Sequence, residues 1–247
     1  MPFIIDNTFA TPVLCRPIEW GADIVTHSTT KYMDGHGVQV GGVIVDSGKF
    51  DWKASGKFPG LTTPDESYHG IVYTDTFGDK AYITKARTHL MRDIGACPTA
   101  EAAFLLNLGL ETLAVRMEKH CENALKVAEY LEKNDKIKSV AYPGLKSDKY
   151  YERAQKYMPK GASGVISFIP EGGKEKAVNI QDSLKLARLA VHVALVRTCV
   201  LHPASATHRQ LNDEELKAAG ITPDLVRLSV GIENIDDILE DLKQAIE

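Results

Sequence analysis

Residues 22–37 read ADIVTHSTTKYMDGHG, and this stretch predicts both a strand and a site at its end. The β-branched run at residues 24–26 is typical of a buried strand. Hydroxyl side chains, the single lysine Lys31 and a glycine-rich turn follow at once. Open α/β sheets bind their ligands beyond the carboxyl ends of their strands, so this order favours a binding site. A solvated lysine in a polar loop is the alternative for this segment taken alone.

A second strand ends in the same way near the start of the chain. Residues 3–5 are apolar, and Asp6, Asn7 and Thr8 follow them. A parallel βαβ unit needs about 30 residues, so the interval to Lys31 lets two adjacent strands end at one rim. A carboxylate, hydroxyls and a lysine converging there suit a cofactor with a cationic ring, a phosphate and an aldehyde.

These two motifs, IIDNTFATP at residues 4–12 and GADIVTHSTTKYMDGHG at residues 21–37, resemble the Cys/Met-metabolism family of pyridoxal-phosphate (PLP) enzymes. The resemblance continues downstream in GLETLAVRMEKHCENA, YPGL, DSLKLARLAV, HPASATH and LVRLSVGIENIDDIL. It implies an α/β fold, the C-terminal part of a fold-type I PLP-dependent transferase. Residues 1–113 would be part of the large parallel-sheet domain, and residues 114–247 a small α+β C-terminal domain.

The resemblance implies a role for four residues of the two motifs. Lys31 would bond the PLP aldehyde and later carry protons, which requires a depressed amine pKa. Asp6 would keep the pyridine nitrogen protonated. Ser28 and Thr30 would donate hydrogen bonds to the phosphate. The cofactor predicted for this chain is therefore pyridoxal 5'-phosphate.

Arg227 is the predicted ligand of the substrate's carboxylate. It lies in a predicted strand at residues 225–232, and side chains alternate along a strand, so Arg227 faces opposite to Val226 and Leu228. A planar guanidinium suits bidentate binding of a carboxylate. From the residues alone, an arginine on a solvated strand face is the alternative; the resemblance favours substrate binding.

Thr198 is the second residue that the resemblance places at the substrate. The family commonly has a Gly-Asp pair and a serine shortly before HPAS. Here Ala194 and Leu195 stand in place of the pair, while Thr198 keeps a hydroxyl. The family also has a long N-terminal segment with a glycine-rich phosphate loop and a stacking aromatic, which does not precede Asp6 here. We therefore expect weak PLP binding by this chain alone, with exposed apolar faces at residues 3–5 and 102–110.

The composition excludes several other classes of protein. The chain has 247 residues, 44% hydrophobic and 25% charged, which is ordinary for a globular protein. A net charge of −4 without a long run of like charges disfavours nucleic-acid and membrane partners. No apolar stretch approaches about 18 residues, and the N-terminus does not resemble a signal peptide. The cysteines and histidines show no metal-ligand spacing, so we predict a cytoplasmic protein with reduced thiols and no metal.

Hydrophobic periodicity predicts most of the remaining elements. Residues 51–80 are rich in aromatics and glycine and form a predicted long loop, either an active-site lid, an interface segment or a packed surface loop. Residues 100–110 are almost wholly apolar and predict a helix buried on all sides. The other predicted strands are residues 41–45, 163–169 and 193–201, and the other predicted helices are residues 82–94, 117–131, 177–190 and one capped by Asn234.

The predicted function is that of an O-acetylhomoserine sulfhydrylase. The stretch at residues 56–78 resembles an insertion of that branch of the family, and the reaction would replace acetate by sulfide or a thiol to give homocysteine or methionine. Its partners would be the amino-acid substrate, the sulfur donor and further copies of the chain, as a homotetramer. A methionine or cystathionine γ-lyase is the alternative enzyme, and a non-catalytic chain that complements a separate N-terminal half is the alternative from another class.

Overall fold

The computed structural model describes the backbone of residues 1–247 and every side chain except that of Asp213. The strands are β1 (Ile4–Asp6), β2 (Ile24–Ser28), β3 (Gly42–Asp46), β4 (Ile137–Ala141), β5 (Val165–Pro170), β6 (Arg188–Leu189), β7 (Cys199–Leu201) and β8 (Val226–Ser229). The α-helices are α1 (Thr11–Leu14), α2 (Trp52–Ser55), α3 (Pro59–Thr62), α4 (Tyr73–Phe77), α5 (Ala81–Lys85), α6 (Arg92–Ile94), α7 (Ala100–Glu111), α8 (Leu113–Lys133), α9 (Tyr151–Tyr157), α10 (Gly173–Ser183), α11 (Asp213–Ala218) and α12 (Ile235–Ile246). A π-helix, Ala86–Met91, joins α5 to α6, so the helix predicted at residues 82–94 is confirmed with a wider turn inside it.

The first sheet has the order β1-β2-β3. Strands β1 and β2 are parallel and adjacent, as the sequence predicts, and Asp6 lies opposite Thr26. Strand β3 runs antiparallel to β2. The connection between them, residues 29–41, contains no helix, whereas the crossover to a parallel neighbour usually contains one. The first sheet is thus mixed.

The second sheet has the order β4-β5-β8-β7-β6 and is antiparallel except where β6 meets β7. Helices α8, α10 and α12 pack on it, and its core includes Phe168, Leu228 and Ile238. Asn234 caps α12 by accepting a hydrogen bond from the backbone N–H of Asp236, as predicted. The mixed α/β class and the α+β character of the C-terminal part are confirmed. The predicted domain boundary at residue 113 coincides with the start of α8 and stays a prediction.

Three predicted elements are shorter than expected. The helix predicted at residues 177–190 ends at Ser183, because the carboxylate of Asp241 on α12 accepts hydrogen bonds from three successive backbone N–H groups, those of residues 185–187. Of the strand predicted at residues 193–201, only Cys199–Leu201 pairs in the sheet. The strand predicted at residues 225–232 is limited in the same way to Val226–Ser229.

Helix α7 forms where predicted, but its expected burial on all sides is wrong. Phe104 is 61% exposed and Leu108 45% exposed, and Gly109 is the buried position of the helix. No other part of the described chain covers this face, which agrees with the exposed apolar face expected at residues 102–110. The aromatic-rich residues 51–80 are packed rather than open: short helices bury Trp52 and Tyr73 in a cluster of their own. Among the described helices, none is long and apolar enough to cross a membrane.

Candidate active site

The carboxyl ends of β1 and β2 are joined by a chain of hydrogen bonds. Asp6 is the last residue of β1 and Ser28 the last of β2. The backbone N–H of Ser28 donates to Thr8 Oγ1 (2.8 Å), and that hydroxyl donates to Asp6 Oδ1 (2.5 Å). The Thr8 N–H donates to the same oxygen (3.0 Å). Thr8, to which the sequence motif alone assigns no role, therefore orients the Asp6 carboxylate that is predicted to bind PLP. A threonine two residues after an aspartate is the sequence pattern that could have indicated this bond.

The two predicted phosphate donors differ in their surroundings. The hydroxyl of Ser28 has no hydrogen-bond partner among the described residues, and the side chain is partly exposed. The hydroxyl of Thr30 donates to the carbonyl of Gly41 (3.3 Å) and accepts from its N–H (3.0 Å). Ser28 is thus free to bind a ligand, while Thr30 in this structure closes the turn that leads from Lys31 to β3.

Lys31 follows β2 and is partly buried. Burial lowers the pKa of its ammonium group, and the positive charge of Arg227 lowers it further. Arg227 lies in β8 of the other sheet and donates from Nη2 to the carbonyl of Val191 (2.9 Å). The fold therefore places Arg227, from the second sheet, near enough to Lys31 for its charge to act on the Lys31 amine. A lowered pKa raises the fraction of neutral, nucleophilic amine near neutral pH.

Thr198 lies in a different setting from the one expected. It is 1% exposed. Its hydroxyl donates to Glu233 Oε2 (2.9 Å) and accepts from the N–H of Gly231 (2.9 Å), while its own N–H donates to Glu233 Oε1 (2.7 Å). The hydroxyl hydrogen is used inside the protein, so the contacts of Thr198 support a part in holding the chain after β8 rather than contact with a substrate.

The turn after Lys31 is fixed by buried residues that the sequence analysis did not identify. Tyr32 is fully buried, and its hydroxyl accepts a hydrogen bond from the N–H of Gly164 (3.0 Å). The buried carboxylate of Asp34 accepts hydrogen bonds from the backbone N–H groups of residues 36–38. From α8, Arg116 donates to the carbonyls of Tyr32 (2.7 Å) and Met33 (3.3 Å). The signal in the sequence was a lone arginine on the buried face of an amphipathic helix.

The glycine turn at residues 35–37 also contacts residues 195–196, next to the position where the sequence departs from the family pattern. The carbonyl of Gly35 accepts from the N–H of Val196 (2.8 Å). The side chain of Leu195 packs beside Gly37. Ala194 has a φ of +65°, in the left-handed region that favours glycine. This backbone conformation suits the glycine that the family pattern has here, whereas this chain has Ala194.

The whole chain, residues 1–247, matches the family model of the Cys/Met metabolism PLP-dependent enzymes. The chain belongs to this family. Among curated relatives, it is 49% identical to a homocysteine synthase of Schizosaccharomyces pombe over 249 residues, covering 100% of this chain and 58% of the relative. It is 46% identical to an O-acetyl-L-homoserine sulfhydrylase of Leptospira meyeri over 256 residues, with the same coverage of both chains. The chain thus spans 58% of the length of these relatives.

A solved structure shows the same fold in a family member. A protein of Campylobacter jejuni assigned as an O-acetylhomoserine (thiol)-lyase superposes with a TM-score of 0.94 at 42% identity, covering 100% of this chain and 59% of that one. That crystal structure contains N'-pyridoxyl-lysine-5'-monophosphate, a lysine joined to the cofactor's pyridoxyl group. A lysine attached to the cofactor is therefore part of a protein with this fold.

Proposed function

We propose that this chain supplies the cofactor lysine and the substrate arginine of an O-acetylhomoserine sulfhydrylase. Two observations carry the proposal: the lowered pKa of Lys31, to which burial and the charge of Arg227 contribute, and the hydrogen-bonded ends of β1 and β2, which hold Asp6 and Ser28. The names of the relatives, homocysteine synthase and O-acetyl-L-homoserine sulfhydrylase, support the choice of substrate class. The reaction would exchange the acetate on the γ carbon for sulfide or a thiol.

The donor set fits PLP. Asp6 is exposed, and Thr8 occupies its Oδ1, so Oδ2 is left for a protonated ring nitrogen. Ser28 offers an unoccupied hydroxyl to the phosphate, and Thr30 remains a proposed second donor once its bond to Gly41 opens. Lys31 offers a primary amine to the aldehyde. When bound, PLP withdraws electrons from the substrate carbons, and the protein supplies position and charge.

Two residues of this chain would act on the substrate. Arg227 would bind the α-carboxylate with its guanidinium and so orient the amino acid. Lys31 Nζ would accept the proton of the α carbon and move protons at the β carbon, which its lowered pKa favours because the neutral amine is the base. Thr198 would act through Glu233 and Gly231, by holding the backbone after Arg227 in place.

The association state and location belong to the same proposal. Exposed apolar residues on α7, and an apolar groove of about 650 Å³ between β3 and the α5–α6 helix, support assembly with further copies of the chain. The homotetramer and the cytoplasmic location stay predictions. A γ-lyase would use the same residues, so the choice between the two reactions needs an assay of products.

Reductive trapping tests the proposal at Lys31. Incubating the chain with PLP, reducing with borohydride and digesting should yield a pyridoxyl group on the Lys31 peptide. Lys31→Ala should abolish that product with the circular dichroism spectrum unchanged, because Lys31 is partly exposed on a turn and leaves no core cavity. Lys49→Ala, an exposed lysine after β3, is the matched control. Labelling spread evenly over surface lysines would reject the role of Lys31.

The substrate is tested with the same protein. O-acetylhomoserine with sulfide should give homocysteine and acetate if turnover occurs, and Arg227→Lys should raise the KM for the amino acid more than it lowers kcat. Cleavage of methionine without any sulfide-dependent product would instead assign a γ-lyase. PLP trapping at Lys31 without turnover would support the non-catalytic partner chain.

A further inference from the structure

Helix α8 carries a stripe of three buried polar residues. Arg116, His120 and Asn123 stand at positions i, i+4 and i+7 and therefore share one face of the helix. They are 5%, 0% and 0% exposed. Buried polar groups are costly unless they are hydrogen-bonded, so the partners of this stripe show what it holds.

The N-terminal end of the stripe holds the turn after Lys31. Arg116 donates from Nη1 to the carbonyl of Tyr32 (2.7 Å) and from Nη2 to those of Met33 (3.3 Å) and Gly109 (2.6 Å), while Nε donates to Thr112 Oγ1 (3.0 Å). All four acceptors are neutral oxygens. The rigid fork of the guanidinium therefore fixes the two residues after the lysine against the start of α8 and the end of α7.

The other end of the stripe holds the chain after Arg227. His120 Nδ1 donates to the carbonyl of Val230 (2.8 Å), which assigns its hydrogen to Nδ1. Asn123 Nδ2 donates to the carbonyls of Gly231 (3.0 Å) and Glu233 (2.9 Å). These carbonyls follow β8 directly, and Thr198 ties the same segment from its other side.

Tyr32 joins the two ends of the stripe. Its ring packs edge-on against the His120 ring, with centroids 4.9 Å apart, and its hydroxyl accepts from Gly164 beside Val230. A helix rises 1.5 Å per residue, so the stripe spans roughly 10 Å of rigid rod. The Lys31 turn and the Arg227 strand are thus both bonded to one short length of helix.

We propose that Arg116, His120 and Asn123 are positioning residues that set the distance between Lys31 and Arg227. They touch neither side chain and act through backbone carbonyls near each of them. This role rests on the proposed function, in which Lys31 bonds the cofactor and Arg227 binds the substrate's carboxylate.

The test measures how strongly Arg227 acts on Lys31, without requiring PLP. Competitive labelling with acetic anhydride across a pH series, read on the Lys31 peptide by mass spectrometry, gives the apparent pKa of that amine. Arg227→Met should raise this pKa, since a positive charge is removed from the surroundings of Lys31. In Asn123→Ala and Arg116→Lys backgrounds, this rise should fall below half its original size, because Arg227 is no longer held at the same distance.

Val127→Ala is the matched control. Val127 is buried in the same helix, so its truncation destabilises the fold, but its side chain belongs to the apolar core and binds no backbone carbonyl. It should leave the Arg227-dependent rise unchanged. Arg116→Lys keeps a positive charge in the stripe, so its effect reports the loss of the guanidinium hydrogen bonds and not the loss of a charge. All variants are labelled at a temperature where circular dichroism shows them folded, and Asn123→Ser replaces Asn123→Ala if the latter is unfolded.

An equal Arg227-dependent rise in the stripe variants, the control and the parent would overturn the proposal. Failure of PLP trapping would reject the proposed function but leave this measurement intact, since the labelling reads the amine alone. The two ideas therefore fail independently.

Discussion

Gly109 and Gly35 show how closely the Lys31 turn is packed. A Cβ at Gly109 on α7 would lie 2.5 Å from the carbonyl oxygen of Met33 and 2.6 Å from that of Asp34. Gly35 has a φ of +75°, and a Cβ at this position would overlap the Arg116 guanidinium. Both glycines are needed because backbone or a buried cation occupies the place of a side chain.

Gly109→Ala should destabilise the protein, against the usual effect of this change. In an open helix position alanine is better than glycine by about 1 kcal/mol. Here the new methyl group meets two backbone carbonyls that cannot move without displacing the Lys31 turn, so we expect a loss of about 1–3 kcal/mol in the free energy of unfolding. Urea denaturation measures it. The control is Gly60→Ala in α3, where the nearest atoms to a Cβ are 3.8 Å away, on Lys85. A more stable Gly109→Ala protein would contradict this packing.

At the level of elements, side-chain bonds between distant segments decide where helices stop. Helix α10 ends at Ser183 although residues 184–190 continue an acceptable helical pattern. Asp241 Oδ1 accepts from the N–H of Lys185 (2.8 Å), and Oδ2 from those of Leu186 and Ala187 (both 2.9 Å). A carboxylate that binds three backbone N–H groups outweighs local helix propensity, so the helix ends and the chain continues to β6.

Asp241→Asn should lower the free energy of unfolding by about 2 kcal/mol. The amide keeps one oxygen, but its NH₂ group faces a backbone donor, so at least one buried N–H is left without an acceptor. Chemical denaturation followed by circular dichroism measures the loss. Asp237→Asn, an exposed position on the same helix, should change stability by less than about 0.5 kcal/mol. Equal effects at the two positions would refute the assigned role of Asp241.

For the whole molecule, the buried His120 makes stability depend on pH. Burial lowers the pKa of His120 to about 4. An unfolded histidine has a pKa of about 6.5, so below that pH the unfolded state binds the proton first. The stability associated with neutral His120 is therefore complete above about pH 6.5 and lost as the pH falls towards 4, up to roughly 3 kcal/mol.

His120→Gln should flatten the pH dependence of unfolding between about pH 6.5 and 4. Urea midpoints for parent and variant, each expressed relative to its own value at pH 7.5, compare slopes independently of the overall loss of stability. Burial also lowers the pKa of His27, so a residual slope of the same sign should remain in the variant. Parallel slopes for both proteins would show that His120 does not titrate with unfolding.

The site could be predicted from sequence in part. Asp6, Ser28, Thr30 and Lys31 lie within short motifs at the ends of two strands, so local pattern and family resemblance are enough to propose them as site residues. Thr198 could not be placed, because its partner Glu233 lies 35 residues away. Arg116 and His120 were missed for the same reason: their acceptors are 84 and 110 residues distant along the chain.

The sequence by itself determined the parallel strands β1 and β2, the helices α7, α8 and α12, and the family, since these depend on periodicity, caps and motifs spanning a few residues. The tertiary structure alone decided the end of α10 and the stripe on α8. Each of these depends on which backbone groups of a remote segment need a partner, and hydrogen-bond satisfaction inside a folded chain carries no local pattern in the sequence.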